Sequence, residues 1–306
     1  MLDPIRIGTR GSALARWQTD HIADQLRAAH PSLIVEVIVI STRGDQALDT
    51  PLPLLGGKGA FTAEIESALL SGQIDCAVHS LKDLPVEDAP DLTLAAILPR
   101  ADPRDVLISR GGQMFNDLPV GASIGTSSPR RAAQLKGLRP DLTIIDVRGN
   151  IDTRVRKVLD RSGPYDAIVL AAAGILRLGM KHVITQILPT LMMLPAPGQA
   201  ALAVQCALDS PFREALSALD HAETRAAVTA ERSFLKGLGG GCSSPVAALA
   251  ESDGHGLYLR GLIISPDGRK TWHGTIYGQM SEATALGAAL AAEALADGAN
   301  GLLEAR

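Results

Sequence analysis

The order of hydrophobic and polar positions along the chain predicts an α/β protein. Short, nearly continuous apolar runs, such as 33–40 and 167–170, have the length and composition of strands covered on both faces. Between the runs, apolar residues recur at helical spacing, as Trp17, Ile22 and Leu26 do. Because strands alternate with helices over the first two-thirds of the chain, we expect doubly wound parallel sheets there.

The pattern changes towards the C-terminus. Residues 246–250, 257–264 and 271–277 alternate between apolar and polar positions, which is typical of antiparallel strands. An alanine-rich segment at 282–296 follows and has the composition of a helix. We therefore predict a C-terminal α+β domain with a small antiparallel sheet.

Two proline-containing segments suggest where the chain passes between domains. Residues 99–103 follow the last strand of the first α/β region, and 194–198 follow the second. Since the next apolar run, 201–206, could return to the first sheet, we predict a discontinuous first domain. The predicted domains are 1–98 with 199–217, 102–193, and 220–306.

Composition excludes several classes of protein. The 306 residues carry a net charge of −4 and no dense lysine or arginine tract, which argues against a nucleic-acid partner. No apolar run reaches the roughly 20 residues of a membrane helix, and residues 1–6 lack the pattern of a signal peptide. We expect a cytoplasmic protein that does not enter a membrane.

The three cysteines differ in their surroundings. Cys76 and Cys206 lie in apolar, strand-like runs and are expected to fill the core, with no disulfides in a reducing compartment. Cys242 instead follows three glycines and precedes two serines and a proline. Such a loop could present a reactive or derivatised sulfur, although an ordinary helix-to-strand linker would have the same composition.

Arginines collect where strands end and helices begin, which is where ligands bind in open α/β sheets. Cations in a first helical turn oppose the helix dipole unless an anion lies between them. We therefore predict an anion-binding cleft between domains. The alternative is that each arginine is solvated or paired with a nearby acid. The residues concerned are Arg10, Arg130, Arg131, Arg148, Arg154 and Arg156.

Other motifs point to fewer kinds of chemistry. Asp83, directly after Lys82, is an acid among cations that could stabilise a developing positive charge or could simply cap a turn. Lys58 stands in a glycine-rich loop, a candidate lid, that lacks the spacing of a phosphate loop. The seven histidines show no paired ligand spacing, so we predict no metal, and His79 is expected to be a satisfied structural histidine.

Taken together, these motifs closely resemble the porphobilinogen deaminase family, also called hydroxymethylbilane synthases. Each motif alone is weak, but their order and joint presence are specific. They are Thr9-Arg10-Gly11-Ser12, Thr42-Arg43-Gly44-Asp45, Gly57-Lys58-Gly59, His79-Ser80-Leu81-Lys82-Asp83, Gly125-Thr126-Ser127-Ser128, Arg130-Arg131, Arg148-Gly149-Asn150, Leu194-Pro195-Ala196-Pro197-Gly198-Gln199 and Gly241-Cys242.

The resemblance implies a monomeric transferase of three domains, of which the first two are like periplasmic binding proteins. It implies a dipyrromethane cofactor joined to Cys242 by a thioether, a bond that thiol exchange does not reverse. On this primer the enzyme would condense four porphobilinogen molecules head to tail with release of ammonia. It would then hydrolyse off hydroxymethylbilane, the linear tetrapyrrole of haem biosynthesis.

The resemblance also implies roles for individual residues. Asp83 would be catalytic. The residues holding the cofactor would be Cys242, Lys82, Asp83, Thr126, Ser128, Arg130 and Arg131. Those near the incoming substrate or in its lid would be Arg10, Ser12, Gln18, Lys58, Phe61, Arg148, Arg154 and Arg177. This chain departs from the family pattern at Pro129, which a first helical turn tolerates, and at Ala60 and Ala63 beside Phe61.

Two other functions suit the same residues. A non-enzymatic solute-binding protein for a small carboxylate would also need two α/β domains and an arginine-lined cleft. A transferase acting on phosphorylated substrates could use the same arginines but would give the Cys242 thiol no role. A covalent mass increment on Cys242 would distinguish the porphobilinogen deaminase hypothesis from both.

Overall fold

A computed structural model describes residues 4–42, 62–87, 89–240 and 244–304 of the chain. The strands are β1 (Ile5–Thr9), β2 (Val35–Val39), β3 (Cys76–Ser80), β4 (Leu92–Ile97), β5 (Asp105–Ser109), β6 (Ser123–Gly125), β7 (Thr143–Ile145), β8 (Ala167–Ala171), β9 (Gln186–Leu188), β10 (Leu202–Ala207), β11 (Val246–Ser252), β12 (Leu257–Ile264) and β13 (Thr271–Gly278). The α-helices are α1 (Ala13–Ala29), α2 (Ala63–Leu70), α3 (Pro129–Leu138), α4 (Ile151–Leu159), α5 (Ala172–Arg177), α6 (Arg213–Ser217), α7 (Ala222–Gly237), α8 (Ala283–Ala296) and α9 (Asn300–Glu304).

The first of two compact units comprises Met1–Arg100 and Ala201–Arg225. Its sheet has the strand order β2-β1-β3-β10-β4, so the predicted return of 201–206 to the first sheet is confirmed. The expected parallel pairing holds for β1 with β2 and β3, but it is wrong for β10, which runs antiparallel to both its neighbours. Leu81 N donates to Ala201 O at 3.0 Å, so the chain re-enters the sheet where β3 leaves it and must run the opposite way.

Helices cover both faces of this sheet. On one face Ile22 and Leu26 of α1 are buried against strands that include Cys76 and Cys206. Trp17, which was predicted on the same apolar face, is instead 37% exposed and stacks on His21 with ring centroids 5.0 Å apart. On the other face, α2 forms a second buried cluster with apolar residues of the sheet.

The second unit comprises Ala101–Ala200 and Ala226–Arg306 and contains two sheets. The larger has the order β7-β6-β8-β5-β9, with β5 antiparallel to β8 and β9. Neither β5 nor β9 was predicted, although the fully buried run 106–108 within β5 is a strand signal. The first residue of β5, Asp105, accepts hydrogen bonds from the arginine pair described below.

The smaller sheet is the predicted C-terminal one. Strands β11, β12 and β13 pair antiparallel in chain order, and α8 packs on this sheet. Its other face contributes to a buried cluster with Ala133 of α3 and with Leu194. Gly268 has φ +77°, and a Cβ there would lie 2.4 Å from Gly137 N, so the β12–β13 turn approaches α3 too closely for a side chain.

The fold class predicted from the sequence is confirmed, with mixed rather than parallel sheets. The division into three domains with these boundaries stays a prediction. The chain forms two compact units; each contains one of the two α/β sheets, and the second also contains the small sheet. In the described part of the chain, no helix is long and apolar enough to cross a membrane.

Candidate functional site

A short 3₁₀ turn at Leu81–Asp83 follows β3 and presents the candidate catalytic acid. Leu81 and Leu84 are buried, at 0% and 4% exposure, and anchor the turn on either side. Lys82 is half-buried and Asp83 is exposed. The apolar side chains therefore fix the turn in the core and leave the carboxylate facing outwards.

The residues predicted near the substrate in the first unit lie at the carboxyl ends of β1 and β3. Arg10 follows β1 directly and is half-buried, and Ser12 caps α1 by accepting a hydrogen bond from Ala15 N at 3.3 Å. Gln18 is 4% exposed and donates from Nε2 to Ser80 Oγ at 2.9 Å. Because this bond engages the Gln18 amide, the side chain supports the end of β3 immediately before the Leu81–Asp83 turn.

His79 only partly fits the expectation of a satisfied structural histidine. Its side chain is buried, and Nε2 has no hydrogen-bond partner among the described residues. Burial lowers the pKa of His79 to about 4; a hydrogen bond with Gln205 partly opposes this effect and the positive charge of Arg10 adds to it. The ring is therefore neutral at physiological pH. Its burial and its bond with Gln205 agree with a structural histidine, whereas Nε2 is unsatisfied within the described ranges.

In the second unit, Arg130 and Arg131 share one buried acid. Both arginines stand in the first turn of α3 and are 4% and 6% exposed. Arg130 Nη2 donates to Asp105 Oδ2 at 2.8 Å, and Arg131 Nη2 donates to Asp105 Oδ1 at 2.8 Å. The alternative raised from the sequence, that these arginines pair with an acid, is thus right for both of them.

The Asp105 carboxylate does not neutralise the charge of both arginines. Two guanidinium groups face one carboxylate, and burial lowers the pKa of Arg130, an effect that Asp105 opposes and Arg131 reinforces. Nε of each arginine is buried and has no hydrogen-bond partner among the described residues. A buried cation with unused donors is stabilised by an anion that accepts from it, so the cluster fits a carboxylate-bearing cofactor.

The loop before α3 is fixed by its own hydroxyl groups. Thr126 is buried, and its Oγ1 accepts from Ser128 N at 3.2 Å. Ser128 caps the helix by accepting from Arg131 N at 3.4 Å, and Pro129 occupies the first helical turn, as predicted. Ser127, which was not predicted as a site residue, donates to Val147 O at 2.6 Å.

The remaining predicted arginines of the second unit also contact protein groups. Arg148 Nε donates to Asp146 Oδ2 at 2.8 Å, and Arg154 Nε donates to Gly149 O at 2.7 Å. Arg177 Nη2 donates to Ala200 O at 2.8 Å, and burial lowers the pKa of Arg177 to about 10. The three are thus held at the ends of β7, α4 and α5, with their orientations set by neighbouring oxygens.

Several of the predicted site residues lie outside the described ranges. They are Cys242, Lys58, Phe61 and nearly all of the candidate lid loop. Within the described ranges, no three histidine, cysteine or acidic side chains form a group that could hold a metal ion. The acids Asp105 and Asp146 were missed, because an acid beside an arginine-rich segment gives no local signal of which cation it meets in the fold.

Comparisons with known proteins cover nearly the whole chain. Residues 5–213 match the family model "Porphobilinogen deaminase, dipyromethane cofactor binding domain", and residues 225–296 match "Porphobilinogen deaminase, C-terminal domain". The chain is 51% identical over 304 residues to a porphobilinogen deaminase of Roseiflexus castenholzii, covering 99% of each chain. It is 48% identical over 300 residues to a porphobilinogen deaminase of Syntrophomonas wolfei, covering 98% of this chain and 97% of the relative. Among solved structures, the methionine binding protein MetQ has a TM-score of 0.43 and 11% identity, covering 70% of this chain and 89% of its own.

Proposed function

Because the chain belongs to the porphobilinogen deaminase family, we propose that it condenses four porphobilinogen molecules head to tail into hydroxymethylbilane. The enzyme is a transferase of tetrapyrrole and haem biosynthesis with a dipyrromethane cofactor. Each condensation releases ammonia, and hydrolysis frees the finished chain. The family assignment favours this activity over a non-enzymatic solute-binding protein.

The observation that carries the proposal is the charge of the Arg130 and Arg131 cluster. A single buried carboxylate offsets two buried guanidinium groups, and both Nε donors are unused within the described ranges. The acetate and propionate groups of a dipyrromethane are anions that would accept from such donors. When bound, the dipyrromethane supplies the pyrrole carbon to which the first porphobilinogen unit is joined.

The chain's own residues would divide the work between binding and proton transfer. Arg130, Arg131 and Lys82 would hold carboxylates of the cofactor, with Thr126 and Ser128 beside them. Asp83, exposed on its anchored turn, would stabilise the positive charge that develops on a pyrrole nitrogen of porphobilinogen as ammonia leaves. The same carboxylate would also accept the proton that the joined carbon gives up.

Further residues would receive the substrate. Arg10, Arg148, Arg154 and Arg177 would bind carboxylates of incoming porphobilinogen, assisted by Ser12 and Gln18, with Lys58 and Phe61 in the lid. Arginine suits this task because its planar fork matches a carboxylate. We also propose the three-domain division given above and a cytoplasmic monomer without a nucleic-acid partner; the net charge of −4 supports the last point.

Intact-protein mass spectrometry tests the cofactor assignment. The native protein should carry the mass of a dipyrromethane, and Cys242→Ser should carry none, even after incubation with porphobilinogen. A wild-type protein with no covalent increment before or after that incubation would contradict the proposal. A transferase acting on phosphorylated substrates predicts instead that inorganic phosphate competes and that Cys242→Ser keeps full activity.

A second experiment tests the role of Asp83. Asp83→Asn should change the free energy of unfolding by no more than about 0.5 kcal/mol, because the side chain is exposed. Turnover should fall by roughly 10²–10⁴-fold, the usual contribution of a positioned proton-transfer group. Glu87→Gln, which removes another exposed carboxylate four residues along the chain, is the matched control and should keep normal turnover. Normal turnover in Asp83→Asn would remove the assignment.

A further inference from the structure

We propose that Asp105 is the positioning residue that aligns Arg130 and Arg131 towards the carboxylates of the cofactor. This inference rests on the proposed function and adds to it a residue that no motif identified. Asp105 is the first residue of β5, is 0% exposed and accepts hydrogen bonds from both guanidinium groups. It therefore lies behind the arginines, away from solvent, where it can act on a ligand only through them.

The geometry fixes each guanidinium at two points. Asp105 Oδ2 accepts a hydrogen bond from Arg130, and Asp105 Oδ1 accepts one from Arg131. The two oxygens of one carboxylate therefore set the spacing between the two guanidinium groups. Arg130 Nη1 also donates to Leu194 O at 2.6 Å, and Arg131 Nη1 donates to Val169 O at 3.1 Å. A planar group held at two of its nitrogens cannot rotate, so the directions of its remaining donors are set before a ligand arrives.

The carboxylate is itself held in place. Gln199 Nε2 donates to Asp105 Oδ1 at 2.9 Å and to Pro103 O at 2.7 Å. Gln199 is 0% exposed, so this bond is shielded from water. Gln199 thus orients the Asp105 carboxylate, and the carboxylate in turn orients the two arginines.

The charge of the cluster leads to the same conclusion. With no acid, two adjacent buried cations would be strongly unfavourable, and with two acids the cluster would have no attraction for an anion. Among the described residues, one carboxylate pairs with both arginines, which allows them to be buried and leaves a surplus of one positive charge for the ligand. Asp105 therefore sets both the orientation and the net charge of the anion site.

The test compares Asp105→Asn with a matched control, Asp75→Asn. Asp75 also forms a fork with an arginine, accepting from Arg6 Nε at 3.0 Å and from Arg6 Nη2 at 2.8 Å, but it lies in the first unit, and neither residue belongs to the cofactor set. For each protein, the apo form is incubated with porphobilinogen. Its covalent mass increment is followed with time, and the melting temperatures of the apo and loaded forms are measured.

We expect Asp105→Asn to load the cofactor about ten- to a hundred-fold more slowly, the equivalent of one or two misaligned charge-assisted hydrogen bonds. The rise in melting temperature on loading should fall to less than half of the wild-type rise. Asp75→Asn should lower both melting temperatures by the same amount and leave the rise unchanged. A purely structural Asp105 would behave in the same way as Asp75, and that result would overturn the inference.

Gln199→Met provides a second variant in case Asp105→Asn does not fold. It keeps the carboxylate and both guanidinium groups, and removes one hydrogen bond that aims the carboxylate. The rise in melting temperature on loading should shrink in the same direction by a smaller amount, and an unchanged rise would count against the inference. If the wild-type protein gains no covalent mass, the proposed function fails; if it loads and the variants match it, only the role of Asp105 fails.

Discussion

Cys76 and Cys206 lie directly opposite each other on the neighbouring antiparallel strands β3 and β10. The bond from Leu81 N to Ala201 O sets the alternation of the ladder and makes this a non-hydrogen-bonded pair, in which side chains are closest. Both side chains are free thiols with 0% exposure, and burial raises the pKa of each. The expectation that they fill the core is confirmed.

This pair predicts how the cysteines react with a thiol reagent. In the folded protein, Cys76 and Cys206 should be alkylated only as fast as the protein unfolds, because a protonated, buried thiol is a poor nucleophile. Peptide mapping after brief alkylation, with urea-unfolded protein as the positive control, identifies the modified cysteines. Rapid labelling of either one in the native protein would contradict the prediction.

The bond between Gln18 and Ser80 predicts a loss of stability on mutation. Gln18→Met should lower the free energy of unfolding by about 1–2 kcal/mol, because a partly buried hydrogen bond is lost and the Ser80 hydroxyl loses its partner. Gln25→Met, which breaks a bond to His21 on the less buried side of α1, is the control and should cost less. Urea denaturation of the three proteins measures both effects, and equal losses would argue against a brace at β3.

His79 predicts a particular dependence of stability on pH. Its pKa is about 4 in the folded protein, below the 6.5 of a free histidine, so between these values the unfolded chain binds a proton that the folded chain does not. The contribution of the neutral His79 ring to the free energy of unfolding is therefore present in full above pH 6.5, and it is lost as the pH falls towards 4. Over that window the wild type should lose on the order of 3 kcal/mol more than His79→Gln does.

Urea titrations at a series of pH values from neutral down to acid measure this difference. His273→Gln, at an exposed position on β13, is the matched control and should follow the wild-type curve. If His79→Gln loses as much stability as the wild type over the window, the buried neutral ring is not its source.

The backbone conformation at Ala200 predicts that glycine at this position would stabilise the protein. Its φ is 72°, in the left-handed region that favours glycine, and it is 6% exposed. Its carbonyl accepts from Arg177 Nη2 at 2.8 Å and from Ala101 N at 3.3 Å, contacts that oppose relaxation of the backbone. Ala200→Gly should raise the free energy of unfolding by about 1 kcal/mol, because it removes the Cβ that is strained at this φ.

The matched control is Ala203→Gly, in the regular strand β10. In this strand, glycine increases the conformational entropy of the unfolded chain and removes a methyl contact. The free energy of unfolding should therefore fall by roughly 1 kcal/mol. Thermal or urea unfolding of both variants decides the point. A loss of stability at both positions would show that Ala200 is not strained.

Much of the fold could be predicted from the sequence, because local patterns determine local structure. The strand β12 agrees with its prediction, and Ser12 and Ser128 are residue types that favour helix caps, since alternation and capping depend on neighbouring residues. The antiparallel direction of β10 could not be predicted, because it depends on where the chain re-enters the sheet. The strand β5 is not among the predicted elements although its apolar run 106–108 is visible, because the proline-containing segment 99–103 before it indicates a passage between domains.

The sequence by itself determined the order of motifs that places this chain in its family, and with it the cofactor and the reaction. It also determined which residue types stand at the strand ends. Only the tertiary structure decided which charges meet. Asp105 is 25 residues from Arg130 and 94 from Gln199 along the chain, and their hydrogen bonds exist because β5, α3 and the segment before β10 converge in space. Electrostatic interactions depend on distance and burial, and neither is encoded by the spacing of residues in a sequence.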